Sequence, residues 1–311
     1  MKLSIVSTLY QSAPYIKEFY ERATASAKLM VGEDYEIVLV NDGSPDNSLD
    51  LGVKLAEQDS HVVLIDLSRN FGHHKAMMAG LARAKGALIF LIDSDLEEEP
   101  EWLLKFNQQM LDGLCDVVYG VQAKRRGDIF ERAIGSVFYK IFRGLTGVNQ
   151  PDNIVTARLM TRRYVQALLS HQERELNIGG LWVITGFKQA GQIVSKLGTS
   201  PTTYNLLEKF NVLINAITSF SSIPLVITFY SGLFISISAL CYIAYLLFNY
   251  FLISSLPSGY TSLIASIWLF SGLIIFFLGV QGIYISKIFL EVKHRPNTII
   301  RHIYNNESKM E

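Results

Sequence analysis

The amino-acid sequence predicts an α/β domain followed by a two-helix transmembrane hairpin. Two observations support this prediction: short apolar strands alternate with helices over residues 3–95, and residues 210–286 contain no Asp, Glu, Lys, Arg or His. The 28 basic and 28 acidic residues therefore fall on the other 234 of the 311 residues, where their share of about 24% matches a soluble protein. With a mean hydropathy of +0.25, this division excludes a purely soluble enzyme, a disordered protein and a polytopic transporter.

The α/β pattern begins at the first strand of the chain. Strands are predicted over residues 3–9, 36–40, 62–66 and 87–92, and helices over residues 15–30, 49–58, 74–84 and from about 100 onward. This alternation favours a parallel sheet, in which ligands bind at the carboxyl ends of the strands. Neither a G-x-G-x-x-G after the first strand nor a G-x-x-x-x-G-K-[ST] loop occurs, so a nicotinamide dinucleotide fold and a P-loop are disfavoured.

Two long apolar segments predict the membrane hairpin. Residues 225–253 and 261–286 are each long enough to cross a bilayer with some tilt, and Pro257 and Gly259 mark a short turn between them. The turn has no charge, whereas the second span is followed by four basic residues, Lys287, Lys293, Arg295 and Arg301. By the positive-inside rule, the soluble domain and both chain ends are therefore expected on the cytoplasmic side of the inner membrane.

These features divide the chain into four parts. We expect a cytoplasmic domain over residues 1–203, an amphipathic juxtamembrane helix over 204–223, the membrane hairpin over 224–287 and a basic cytoplasmic tail over 288–311. The apolar spacing before the first span suits a helix in the membrane interface and equally a helix packed under the soluble domain. The zero net charge gives no sign of nucleic-acid binding, and Cys115 and Cys241 form no disulfide or zinc pattern.

Asp93 and Asp95 carry the clearest chemistry in the soluble domain. Residues i and i+2 of a strand point to the same side, so these two carboxylates repel each other unless a cation joins them. Mg²⁺ or Mn²⁺, held by one or two carboxylates and completed by substrate phosphates, is the natural partner. Glu97 is close enough in sequence to be a further ligand. The alternative is a solvated acidic turn that caps the helix near Pro100.

Basic residues and histidines suggest further contacts. A basic segment, comprising Lys124, Arg125, Arg126 and Arg132, is expected beside the mouth of the active site. Arginine forks match phosphate oxygens, although the segment could instead be a solvated loop or contact anionic lipid headgroups. For His73 and His74, a solvated or capping position at the start of the next helix is favoured over a ligand role.

Several motifs, taken in order, resemble the inverting family-2 glycosyltransferases, and more narrowly the polyprenyl-phosphate glycosyltransferases. They are V-L-V-N-D-G-S-P-D-N-S at 38–48, L-S-R-N-F-G-H at 67–73, A-G-L at 79–81 and L-I-D-S-D-L at 91–96 followed by Pro100 and Glu101. The resemblance runs from Leu3 through the membrane hairpin. It implies a GT-A-type Rossmann-like nucleotide-sugar-binding domain. The implied reaction is metal-dependent inverting transfer of one sugar from a UDP- or GDP-hexose to undecaprenyl or dolichyl phosphate.

The resemblance also implies roles for individual residues, which are carried over by position. Thr8, Tyr10 and Asp42 would hold the nucleoside, with Asp42 accepting hydrogen bonds from the base, and Arg69 would lie near the donor. Asp93 and Asp95 would bind the ribose and the metal–diphosphate. Arg158, the arginine of a D-F-R-L-M-like segment, joins Arg125, Arg126 and Arg132 as the acceptor-phosphate set. The alternative for Asp42 is an Asx-type turn residue.

Three departures from the family pattern leave other functions open. Thr156 stands where relatives carry an aspartate, Glu97 and Glu98 replace part of D-L-Q-D, and residues 200–203 lack the expected basic stretch. A phosphate acceptor is already anionic, so loss of a base at 156 need not abolish activity. A catalytically altered member that uses another acceptor or scaffolds a membrane complex is the alternative. A processive synthase is disfavoured because no Q-x-x-R-W surrounds Trp182. The resemblance also implies a homo-oligomer packed through the membrane spans and the juxtamembrane helix.

Overall fold

A computed structural model describes residues 1–122, 144, 153–173, 178–196, 214, 217–218, 221–253 and 259–306. The chain divides into two compact units. The first contains the described residues up to 122, those from 153 to 196 and those from 295 onward. The second contains residue 144 and the described residues from 214 to 294.

The first unit is built on one eight-stranded sheet. Its strands are β1 (Leu3–Leu9), β2 (Tyr35–Asn41), β3 (Val62–Leu67), β4 (Leu88–Leu91), β5 (Val117–Gln122), β6 (Ile154–Thr161), β7 (Gln189–Val194) and β8 (Ile300–Tyr304). They are hydrogen-bonded in the order β7-β5-β6-β4-β1-β2-β3-β8. The helices of this unit are α1 (Ile16–Val31), α2 (Ser48–Gln58), α3 (His73–Arg83), α4 (Trp102–Gly113), α5 (Arg162–Leu169) and α6 (Ile178–Ile184).

The four strands predicted from the alternating pattern are parallel to one another. β1 pairs with β2 and β4, and β2 pairs with β3, all in parallel. The sheet as a whole is nevertheless mixed, because β6 runs antiparallel to β4 and β5, and β8 runs antiparallel to β3. The expectation of a parallel sheet therefore holds for the four central strands; β5 and β7 also pair in parallel, but the antiparallel β6 separates them from the centre. β6 and β8 lie outside the segment in which strands alternate with helices. Within that segment, helical crossovers between successive strands impose parallel pairing.

Helices cover both faces of the sheet, which explains why β1, β2 and β3 are buried along their whole length. One hydrophobic cluster, including Phe19, Phe90 and Phe106, lies on the face covered by α1, α2 and α4. The other, including Met77 and Tyr164, lies on the face covered by α3, α5 and α6. This packing fixes the strands and leaves their carboxyl ends, with the loops that follow, at one edge of the sheet.

The second unit contains two long apolar helices, α7 (Ile223–Ile253) and α8 (Tyr260–Val292). Within it, the Tyr284 hydroxyl donates a hydrogen bond to the carbonyl of Ser221 at 2.7 Å. In the described part of the chain, one helical segment, Ser266–Val292, has both the length and the hydropathy needed to cross a membrane. The two-span hairpin and its orientation thus stay predictions. The juxtamembrane helix falls almost entirely outside the described residues.

The C-terminal segment differs from the free basic tail that the sequence suggested. After α8 the chain adds β8 to the exposed edge of β3, with Ile65 opposite Ile303 and Asp66 opposite His302. Residues 300–304 therefore belong to the sheet of the first unit. The sequence analysis used this segment only for its charge, because it lies beyond the apolar spans and far from the other strands.

Candidate active site

At the carboxyl ends of β1 and β4, the side chains of Thr8, His73 and Asp93 lie close together. The Thr8 Oγ1 lies 2.9 Å from Nδ1 of His73, and Nε2 of the same ring lies 3.2 Å from Oδ1 of Asp93. Burial alone would lower the pKa of His73, but the neighbouring Asp93 outweighs it and raises that pKa. His73 therefore links two predicted site residues, although the sequence favoured a solvated or capping position for it.

Asp42 holds two loops together. It follows β2, is 2% exposed, and accepts hydrogen bonds from the backbone N–H groups of Phe71 (2.7 Å) and Gly72 (3.0 Å). Burial raises the pKa of Asp42 above its usual value, opposed by these two N–H groups. A loop-bracing position is thus established for this carboxylate, and its contact with a nucleoside base stays a prediction.

The other two residues predicted to contact the donor lie at the surface of the same edge. Tyr10 is 49% exposed, one residue after β1. Arg69 is exposed on the loop after β3, where its guanidinium donates to the carbonyl of Asn70 and lies 4.1 Å from the centre of the Phe71 ring. Both side chains are open to a ligand at this edge. That they bind the donor nucleoside stays a prediction.

Asp93 and Asp95 differ in environment. The Asp93 side chain is 18% exposed. Its Oδ1 is buried near Nε2 of His73 but makes no well-aligned hydrogen bond. Burial would raise the pKa of Asp93, but His73 and Thr156 lower it overall. Asp95 is exposed and accepts a hydrogen bond from the backbone N–H of Glu97 at 3.0 Å. Burial and the Asp93 charge raise its pKa.

A buried glutamate and a lysine complete the acidic cluster, and the sequence analysis assigned a function to neither. Glu98 is fully buried and accepts hydrogen bonds from the backbone N–H groups of Thr156 (3.0 Å) and Ala157 (2.8 Å) on β6. Burial and the Asp93 charge raise the pKa of Glu98 to about 8. Lys196, two residues after β7, places its Nζ 3.1 Å from Glu97 and 3.6 Å from Glu98.

These contacts show why Lys196 retains its charge. Burial would lower the pKa of the Lys196 ammonium, but the neighbouring Glu98 and Glu97 outweigh burial and raise that pKa. No local pattern could have revealed the pair, because the two partners are about a hundred residues apart in sequence. Glu98 was visible only as a departure from D-L-Q-D. A glutamate in a run of three gives no sign that one member is fully buried.

Comparison with known proteins identifies the family to which this site belongs. Residues 4–169, which include the carboxyl ends of β1 to β6, match the model of glycosyl transferase family 2. The chain belongs to glycosyl transferase family 2. The protein is therefore a glycosyltransferase, and its mixed α/β sheet is a GT-A-like fold.

Relatives of this glycosyltransferase align with it over almost its full length. A Mycobacterium tuberculosis protein named among the glycosyltransferases is 47% identical over 99% of this chain and 90% of its own. The Bacillus subtilis glycosyltransferase YkcC is 33% identical over 99% of this chain and 96% of its own. A bactoprenol glucosyl transferase of Shigella phage SfV is 30% identical over 97% of this chain and 99% of its own.

The glycosyltransferase has a cavity of about 400 Å³ beside the acidic cluster. Its walls include His73 and His74 at the start of α3, Thr156 on β6, Trp182 on α6, and Lys196. The ammonium of Lys196 supplies positive charge, the imidazoles supply ring nitrogens, and Thr156 supplies a neutral hydroxyl in place of a carboxylate. This cavity can therefore accommodate an anionic group close to Asp93.

The predicted acceptor arginines fall into two groups. Arg158 on β6 is 1% exposed, stacks on the ring of Trp182 and donates to the carbonyls of Thr156 and Val155. Burial lowers the pKa of Arg158 to about 9. It lines a second cavity, of about 260 Å³, which also has Trp182 in its wall. The rest of the predicted basic set, Lys124, Arg125, Arg126 and Arg132, lies outside the described residues, as do residues 200–203.

The acidic cluster offers only part of a metal site. In the described portion of the chain, no group of three or more His, Cys, Asp and Glu side chains is arranged to hold a metal ion. Glu97, the third predicted ligand, is in contact with Lys196 instead. The buried, poorly satisfied Oδ1 of Asp93 beside the exposed Asp95 suits a cation that takes one or two carboxylates and completes its shell with phosphate oxygens.

Proposed function

We propose that this glycosyltransferase transfers a single sugar from a nucleotide sugar, a UDP- or GDP-hexose, to a polyprenyl phosphate at the cytoplasmic face of the membrane. One observation carries the proposal: the similarity to bactoprenol glucosyl transferase extends over 97% of the chain and so includes the apolar helices as well as the catalytic domain. A transferase that acts on a lipid-linked acceptor needs both parts.

The donor would occupy the carboxyl edge of β1, β2 and β4. Tyr10 and Arg69 are exposed there. The hydrogen bonds by which Asp42 joins the loops after β2 and β3 would shape the pocket for the base, and Thr8 would lie beside that pocket. A base that donates N–H groups suits a pocket edged by a carboxylate. This arrangement supports binding of a nucleoside but does not select between uridine and guanosine.

Asp93 and Asp95 would hold a divalent cation, Mg²⁺ or Mn²⁺, against the donor diphosphate, and Glu97 could join them by releasing Lys196. The bound cation would neutralise negative charge that builds up on the departing diphosphate. Asp93 is fixed for this purpose by His73, which in turn contacts Thr8. Lys196 balances the charge of Glu97 and lies beside Glu98, whose raised pKa favours its neutral form at neutral pH, so that the cluster is not left with uncompensated carboxylates.

The reaction would be a single displacement with inversion. An acceptor phosphate oxygen attacks the anomeric carbon, a carbon–oxygen bond forms, and the bond from that carbon to the diphosphate breaks, releasing the nucleoside diphosphate. The attacking oxygen is already anionic at neutral pH, so the chain must orient it rather than deprotonate it. Thr156 is therefore compatible with activity at a position where relatives carry an aspartate.

The acceptor phosphate would enter the cavity beside Asp93. His74 and Lys196 line it, and Arg125, Arg126 and Arg132 would add charge at its mouth, with Arg158 in the adjoining cavity. The polyprenyl chain would stay in the bilayer. Two spans, 225–253 and 261–286 within α7 and α8, with both chain ends cytoplasmic, would keep the catalytic domain at the lipid surface.

An assay with purified protein tests this proposal. The full chain is incubated with undecaprenyl phosphate, Mn²⁺ or Mg²⁺ and a panel of UDP- and GDP-sugars, and lipid products are identified by mass spectrometry. One new lipid-phosphate hexose, lost on chelation, is expected. No product from folded protein that binds nucleotide would reject the acceptor and favour the altered-acceptor or scaffold alternative.

A further inference from the structure

We infer that Arg301 is a positioning residue for the donor-nucleoside loops, an inference that rests on the proposed function. Arg301 lies on β8, the strand that the chain adds to the sheet after α8. Its side chain is 58% exposed and reaches across to the end of β3. The sequence analysis used the basic character of this segment only to predict membrane orientation, whereas its contacts concern the end of β3.

Arg301 makes two contacts at the end of β3. Its Nη1 lies 3.3 Å from Oδ2 of Asp66, and its Nη2 donates to the carbonyl of Ser68 at 2.6 Å. The backbone N–H of Ser68 donates in turn to the carbonyl of Ile299 at 2.9 Å. Ser68 opens the loop that carries Arg69 and leads to Phe71 and Gly72, so this loop is attached to β8 at its first residue.

Asp66 extends the connection to the turn after β2. It is 1% exposed, and its Oδ1 accepts a hydrogen bond from Nδ2 of Asn41 at 2.8 Å. The Asn41 Oδ1 accepts one from the backbone N–H of Ser44 at 3.3 Å. Asn41 immediately precedes Asp42. An unbroken series of polar contacts therefore runs from Arg301 to both loops that Asp42 joins.

Removing Arg301 should loosen this arrangement more than removal of an ordinary surface arginine. An exposed ion pair contributes little by itself, but a buried carboxylate that loses its cation carries a large penalty. Asp66 would keep one side-chain partner, Asn41, and would turn toward solvent. This movement disturbs Asn41, the Ser68 carbonyl loses its guanidinium donor, and both loops of the donor edge would lose order.

Arg163 provides a matched control. It is also an exposed arginine, at 72%, paired with a buried aspartate, Asp116, at 6%. The pair joins α5 to the start of β5, which is separated from β3 by four strands of the sheet. Arg163→Gln should therefore have a thermal cost similar to that of Arg301→Gln without affecting the donor edge. Arg301→Lys keeps the charge and should recover part of any loss.

The experiment compares these variants of the full chain in detergent. Hydrogen exchange of the Phe71 and Gly72 amides reports loop order, and calorimetric titration with UDP and GDP in the presence of Mn²⁺ reports donor affinity. We expect Arg301→Gln to raise both the exchange rate and the nucleotide Kd roughly tenfold, about 1.4 kcal/mol. Arg163→Gln should change neither quantity, although both substitutions lower Tm.

Three outcomes would overturn the inference, and they are distinguishable. An unchanged nucleotide Kd for Arg301→Gln would show that β8 stabilises the fold without positioning the donor loops. An equal rise in Kd for Arg163→Gln would show a general loss of stability. If the unsubstituted protein binds neither nucleotide, the proposed function fails and the donor role of Arg301 fails with it, whatever the exchange rates.

Discussion

At the scale of single residues, the two aspartates after β4 have separable structural and chemical properties. Asp93 is packed among His73 and Thr156, so its replacement would disturb the loop as well as the chemistry. Asp95 is exposed, and its one described hydrogen bond is to the N–H of Glu97. An amide can still accept that bond. Asp95 is therefore the cleaner position at which to remove a carboxylate charge.

Asp95→Asn should lower turnover about 100-fold or more, because the departing diphosphate loses charge stabilisation at its cation. Stability should change by no more than about 0.5 kcal/mol, as for other surface positions. The measurement is lipid-product formation by mass spectrometry, with Tm as the check on folding. Asp112→Asn, at an exposed position on α4, is the control. An active Asp95→Asn protein would contradict the metal–diphosphate assignment.

A second residue, Asp46, ties the loop after β1 to the start of α2. Its carboxylate accepts hydrogen bonds from the Ser44 hydroxyl (2.6 Å) and from the N–H groups of Ser48 and Ala13 (both 3.1 Å). Burial opposes ionisation, but these donors outweigh it and lower the pKa of Asp46 to about 2, from an ordinary 3.8. A folded-state pKa below the unfolded value means that the ionised form stabilises the fold.

This pKa predicts a stability difference that depends on pH. Asp46→Asn should lower the free energy of unfolding by about 1 kcal/mol at pH 7, the usual net worth of hydrogen bonds to a charged group after solvent screening. The stabilisation is fully present above pH 3.8 and is lost as the pH falls toward 2. Thermal unfolding of both proteins at pH 7, 4 and 3 checks this. A difference in stability between the two proteins that stays constant from pH 7 to pH 3 would contradict the prediction.

The sequence predicted some residues of the candidate site and missed others, and both results have the same physical cause. Asp42, Asp93 and Thr8 lie at or just after the ends of strands, and local hydrophobic patterns indicate where strands end. The donor-binding roles of Thr8 and Asp42 came from the family resemblance and stay predictions. Glu98 and Lys196 depend on a contact between the loop after β4 and the end of β7, which no local pattern encodes. The link from His73 to Asp93 is likewise a product of tertiary packing.

At the scale of elements, the predicted helices and strands before residue 100 agree with the structure to within one or two residues at each end. Their apolar runs and flanking turn residues define them without tertiary information. β8 was placed in a tail instead, because a five-residue strand far along the chain from its partner β3 has no neighbouring helix to mark it. Its pairing follows from the open edge of β3, which the sequence does not reveal.

Two elements also approach each other closely at Gly43. Its φ is +60°, and a Cβ there would lie 2.4 Å from the backbone N of Asn70 and 2.6 Å from the carbonyl carbon of Arg69. The turn after β2 and the loop after β3 can therefore meet only at a glycine. This contact lies between the two loops that the Asp42 carboxylate joins.

Gly43→Ala should lower the free energy of unfolding by about 2 kcal/mol or more, since strain and backbone overlap combine. Nucleotide affinity should fall with it, because the two loops must separate. Gly32→Ala is the matched control: its φ is +66°, but no atom lies within 4 Å of the added Cβ. That variant should lose about 1 kcal/mol through strain alone and bind nucleotide normally. Chemical denaturation and calorimetry measure the two effects, and equal losses of affinity would refute the argument.

At the scale of the whole molecule, the charged residues lie on either side of one long uncharged segment of the chain. The 77 residues from 210 to 286 lack any ionisable Asp, Glu, Lys, Arg or His, while β8, beyond them, returns to the sheet that starts at residue 3. The first unit is therefore assembled from both ends of the chain. If the second unit crosses a bilayer, it must do so an even number of times, since its two ends connect to one folded sheet.

This even-number requirement predicts the result of cysteine labelling. In a background with Cys115→Ser and Cys241→Ser, Ser258→Cys in the turn between the spans should react with a membrane-impermeant maleimide in intact spheroplasts. Ser308→Cys, beyond β8, should react only after the membrane is permeabilised, because the proposed topology puts the sheet that contains β8 in the cytoplasm. Gel shift of the labelled protein is the readout, and labelling of both variants after permeabilisation is the control. Protection of both positions would mean that the apolar helices do not span the bilayer. Reaction of Ser308→Cys from outside would reverse the orientation and remove the catalytic domain from its cytoplasmic donors.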